Sequence, residues 1–171
     1  MAENDKPYTQ GGTMEKRKAL IFDMDGTMFD TEPISYRFWR EISARYGYDL
    51  DRTVFDQMLG RDDLRIKPLC EAAFGPDYPY EKVVQEKVAA QMEYYKSHDI
   101  PFKPGLNQIL EYARKEGLIC AVASSSPREM IEYLLERNGL ASFFSVVQSG
   151  EEAPHGKPAP DVFLMACEKA G

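Results

Sequence analysis

Three short apolar runs, over residues 19–22, 118–123 and 143–147, each stop abruptly at polar or small residues, and no other feature constrains the fold as much. Such runs read as strands buried on both faces, the kind found in parallel sheets. Before the second run, Leu106, Ile109, Leu110 and Ala113 recur at helical spacing, and Gly117 stands where that helix would end. Between the second and third, Ser126-Pro127-Arg128-Glu129 combines a capping hydroxyl, a proline at the first helical position and a glutamate completing a capping box. Met130, Ile131, Leu134 and Leu135 supply that helix's buried face, and Gly139 ends it. Strand alternating with helix is the rhythm of a doubly wound, Rossmann-like α/β sheet, whose ligands gather at the carboxyl ends of the strands.

One stretch breaks the rhythm. From residue 33 to residue 98 the apolar positions keep helical spacing, first Ile34, Phe38, Ile42 and Tyr46, then Val84, Val88, Met92 and Tyr95. The expected organisation is therefore a disordered arm over 1–17, a core from 18–32 and 99–171, and an inserted helical unit over 33–98. A final helix is predicted over 160–170, with Gly171 as its cap. Three strands are few for this fold, whose first strand is usually central, so part of the core beyond residue 171 is expected to be missing.

The net charge of -7 argues against non-specific nucleic-acid binding, because a phosphate backbone would be repelled. An anionic ligand must instead meet local positive charge. Cys70, Cys120 and Cys167 lack metal-ligand spacing and read as reduced core residues, which suits a cytoplasmic protein. No run is long enough to span a membrane, and a monomer is expected.

Polar clusters follow each strand. Asp23-Met24-Asp25-Gly26-Thr27 places two carboxylates at the end of an apolar run, a costly arrangement unless a cation or a reaction uses them. Alternation sends both carboxylates to one side if the chain stays extended, and Gly26 permits a sharp turn away. The pair suits phosphoryl transfer, in which one carboxylate attacks phosphorus and the other protonates the leaving oxygen. A calcium hand starting at Asp23 would need glycine where Met28 stands and glutamate where Ile34 stands, so that reading fails. Ser124-Ser125-Ser126 leads into the capped helix, where hydroxyls and free N–H groups hold anions; beside Asp23, Ser124 becomes a phosphate-binding candidate. Lys157, between Gly156 and Pro158, is aimed by a stiffened turn. In the insert, Arg61 is either a substrate contact or an exposed helix-terminal charge. Trp39, Tyr94 and Tyr95 are read as core, and His98 and His155 as surface histidines.

With these residues in place, the chain resembles the haloacid dehalogenase superfamily, in its phosphoglucomutase-like and phosphatase branch with a helical cap. Asp23-Met24-Asp25-Gly26-Thr27, Ser124, and Lys157 in Gly156-Lys157-Pro158 match that family's first three motifs in order and spacing. The resemblance implies an aspartyl-phosphate on Asp23, acid and base roles for Asp25, and Mg2+ held by the Asp23 side chain and the Asp25 carbonyl. It further implies that Ser124, Lys157 and the backbone near Ser125 bind the phosphoryl group. Asp30, Thr31 and Glu32 match the hinge into the cap. The fourth motif, an acidic pair that completes the metal shell, has no counterpart before Gly171. The function expected is a phosphatase for a small phosphorylated metabolite; a sugar-phosphate mutase shares every motif. From another class, an inactive fragment or a non-catalytic binder of phosphorylated ligands is the alternative.

Overall fold

The computed structural model describes residues 19–171; the expected arm over 1–17 lies outside them. Strand β1 (Ala19–Phe22) pairs in parallel with β2 (Ile119–Ser124), which pairs in parallel with β3 (Phe144–Ser149). The order is β1-β2-β3, so among the described residues β2 is the middle strand.

Strand β2 shows why its sequence is apolar throughout. Its side chains alternate between faces, and both faces are covered. Cys120 and Val122 join a core with Leu110 and Ala113 of α5 (Leu106–Lys115) and with Ile131, Leu134 and Leu135 of α6 (Arg128–Arg137). Ala121 and Ala123 face the other way, onto Val162 and Ala166 of α7 (Asp161–Ala170). Burying each of the larger aliphatic side chains contributes about 1.5–3 kcal/mol. Cys167, expected in the core, is exposed instead, because its neighbours Val162, Ala166 and Ala170 already occupy the buried stripe of α7.

After β1 the chain turns at Gly26 and enters four helices before returning: α1 (Glu32–Arg45), α2 (Arg52–Met58), α3 (Asp63–Phe74) and α4 (Tyr80–Ser97). They share their own core, built on Trp39, Ile42, Phe55, Cys70, Tyr80 and Val83. Asp51 and Asp62 cap α2 and α3, accepting from Val54 N at 3.0 Å and Arg65 N at 3.1 Å. The outgoing and returning strands of chain lie side by side. Asp30 N donates to Pro101 O at 2.8 Å, Lys103 N donates to Met28 O at 2.9 Å, and Phe29 bridges Phe102.

No helix among the described residues is long and apolar enough to cross a membrane.

Candidate active site

Parallel register determines which polar residues meet. Phe22 lies opposite Val122, and Ser124 opposite Ser149, so Asp23 emerges beside the carboxyl end of β2. Lys157, although it follows β3, reaches across to both: its ammonium donates to Asp23 Oδ1 at 2.5 Å and to Ala123 O at 3.0 Å. The Lys157 side chain is 10% exposed, and that of Asp23 34%. Among the described residues, the second Asp23 oxygen takes only a long contact from Thr27 Oγ1, at 3.3 Å.

The turn at Gly26 swings Asp25 out of the strand line, where hydroxyl groups surround its carboxylate. Thr31 Oγ1 donates to Oδ1 at 2.8 Å; Ser124 Oγ and Ser126 Oγ each donate to Oδ2 at 2.9 Å. Gly26 has φ +71°, and a Cβ there would lie 2.5 Å from Glu32 Oε1. The positive φ is what favours glycine, since the Glu32 carboxylate ends a flexible side chain that can move aside.

Ser126 departs from its expected role. Pro127 occupies the cap position of α6 without a side-chain bond, and no capping box forms. The Ser126 hydroxyl is committed to Asp25, while its N–H donates to Ser124 Oγ at 3.0 Å. Ser149 Oγ braces the turn through Ser126 O at 2.8 Å. Ser125 lines the cavity, with its buried hydroxyl lacking a partner among the described residues.

A cavity of about 560 Å³ lies between this floor and the helical insert. Its walls include Ser35 and Trp39 of α1, Met58 of α2, and Val84, Lys87 and Val88 of α4. Trp39 is both core and wall, whereas Tyr95 is wholly core. Arg61 borders the cavity but is exposed, so the structure places it at the mouth rather than on the floor. His155 is exposed and pairs with Asp161 at 2.9 Å; His98 is exposed and stacks on Tyr94.

Lys87 was not singled out from the sequence. Burial pulls its ammonium down to about 8, against the opposing pull of the Asp25 and Asp63 carboxylates. The signal was available: a lysine sits within the Val84-Val88 apolar face, where a solvated charge does not belong.

The donor set suits a hard cation. Among the described residues no group of three or more His, Cys, Asp or Glu converges on one point. Magnesium needs no such cage, since it keeps waters and takes one or two carboxylates with substrate phosphate. The weakly engaged Asp23 Oδ2 supplies such an oxygen, and no hydrogen bond among the described residues ends on the Asp25 main-chain carbonyl.

A parallel α/β sheet with two aspartates at one strand end and a helical insert over them defines a class of hydrolases. The chain belongs to the haloacid dehalogenase-like hydrolase family, which matches residues 20–171. It is 28% identical over 156 residues to the phosphorylated carbohydrates phosphatase of Thermotoga maritima, covering 89% of this chain and 70% of that protein. It is 30% identical to hexitol phosphatase B of Escherichia coli, covering 90% and 69%. The fold is that of CbbY from Rhodobacter sphaeroides, solved in complex with phosphate, with a TM-score of 0.77 at 21% identity over 90% of this chain and 72% of that one.

Proposed function

We propose that this chain is a magnesium-dependent phosphatase for small phosphate monoesters, with phosphorylated sugars and polyols as the leading substrate class. The observation that carries the reading is the hydrogen-bonded floor itself. Lys157 holds one oxygen of Asp23, and Ser124 and Ser126 hold Asp25 beside it. The relatives' names supply the substrate class.

Asp23 is the nucleophile. One of its oxygens attacks phosphorus, the bond from phosphorus to the ester oxygen breaks, and Asp25 gives that oxygen a proton. Water then attacks the aspartyl-phosphate and gives its proton to Asp25. The bond from phosphorus to Asp23 breaks, and inorganic phosphate leaves. Lys157 and the Ser125 hydroxyl hold the phosphoryl oxygens, where charge accumulates in both steps. Ser124, its one hydroxyl proton given to Asp25, reaches them only by turning away from that carboxylate. The Asp23 carboxylate and the Asp25 carbonyl would hold magnesium, which would supply charge offsetting repulsion between the nucleophile and the incoming phosphate. Segment 33–98 serves as the cap, with Lys87 in its wall facing the substrate and Arg61 at its mouth.

The test is release of inorganic phosphate from hexose and hexitol phosphates with and without Mg2+. Asp23→Asn is expected to abolish release by about 1000-fold or more. An Asp23→Asn variant with wild-type turnover would remove the nucleophile from the scheme.

A further inference from the structure

The loop before α3 touches the floor at Gly156 and Lys157, and the contact is unusually close. Asp62 N donates to the main-chain carbonyl of Lys157 at 3.2 Å. The residue before Lys157 is Gly156, and a Cβ there would lie 2.3 Å from Asp62 Cβ and 2.4 Å from Asp62 Oδ2. No real Cβ contact is that short, and the nearest atom is rooted on the backbone, so it cannot rotate away. The Gly156 φ is not in the left-handed region, so the obstacle to alanine there is the neighbouring side chain. Glycine is required at 156 by the neighbour, not by the turn.

We infer that Asp62 and Gly156 form a seat through which the helical insert positions Lys157, so that the floor reaches its working geometry only when the loop at 59–62 rests on residues 156–157. Asp62 is suited to this. Its side chain is 18% exposed and is already fixed as the cap of α3, accepting from Arg65 N at 3.1 Å. The loop therefore presents a rigid corner rather than a mobile tip. Lys157 carries the seat on its carbonyl and the Asp23 contact on its ammonium. A shift of one is passed to the other through a single residue. The kinetic consequence rests on the phosphatase reading; the seat itself does not.

The test uses the whole chain with Gly156→Ala, Asp62→Gly and the double variant. All three nearest atoms to the added methyl belong to Asp62, so Asp62→Gly removes the obstruction, and glycine is itself an accepted cap residue. Gly156→Ala is expected to lower kcat by about 100-fold, the cost of roughly an ångström of misplacement at a reacting centre, with a smaller change in KM. Trp39 is the chain's one tryptophan, 5% exposed in the cavity wall, and its quenching by acrylamide is expected to rise in Gly156→Ala as the insert lifts. The double variant is expected to return both readouts close to those of Asp62→Gly alone. Gly156→Ala with wild-type kcat and wild-type quenching overturns the inference, as does a double variant that stays well below Asp62→Gly alone. If the wild-type chain releases no phosphate, the phosphatase reading fails, while the quenching series still decides the seat.

Discussion

Lys157 and Asp23 stand 134 residues apart in the chain and 2.5 Å apart in space, with the ammonium also tied to Ala123 O. A point charge held from two directions at the end of a sheet is a preorganised electrostatic element. Lys157→Met keeps the stem and removes the charge. It is expected to lower kcat by about 100- to 1000-fold, the usual cost of deleting one donor to an accumulating negative charge. Lys157→Arg is not expected to rescue it, since a planar fork cannot occupy the ammonium's position between two fixed oxygens. Initial rates of phosphate release on one hexitol phosphate check both.

Ser126 offers a sharper discrimination. If its hydroxyl capped α6, Ser126→Ala would lower stability and leave chemistry alone. Because the hydroxyl instead donates to Asp25 Oδ2, Ser126→Ala is expected to reduce kcat by about three- to tenfold, with a loss of about 1 kcal/mol in urea unfolding. Asp25 keeps two of its three hydroxyl partners, which limits the damage. Unchanged kcat with reduced stability would return Ser126 to a structural role.

Lys87, in the cavity wall, gives the proposed substrate site a pH test. Burial lowers its folded value to about 8 from 10.5, so the ammonium is present below that pH and lost above it. KM for a phosphate monoester is expected to rise as pH passes upward through about 8, and Lys87→Arg is expected to move that rise out of range. Stability runs in the opposite sense. Between about 8 and 10.5 the unfolded chain binds the proton and the folded chain does not, so this group's contribution to stability increases with pH across that window and is flat below it. A KM profile flat to pH 9 would remove Lys87 from the substrate's surroundings.

The sheet was legible because burial on two faces leaves an unbroken apolar run, as in β2, and the aspartates because a strand end is where such a sheet puts its chemistry. What escaped was long-range. Ser126 carries every local mark of a cap, and its actual acceptor lies 101 residues away. Gly156 looks like turn chemistry until Asp62 is set against it. Lys87 was hidden for another reason: a search for apolar periodicity credits Val84 and Val88 and passes over the lysine between them.

Where the chain runs out toward the helical unit at Phe29 and where it comes back at Phe102, the two residues are bridge partners. Everything between them begins and ends at one doorway, so from the sheet's side the helical unit is attached as a cassette. Its size and content can be rewritten with no strand of the floor obliged to move, provided the new unit still seats a residue on Gly156 and Lys157 as Asp62 does.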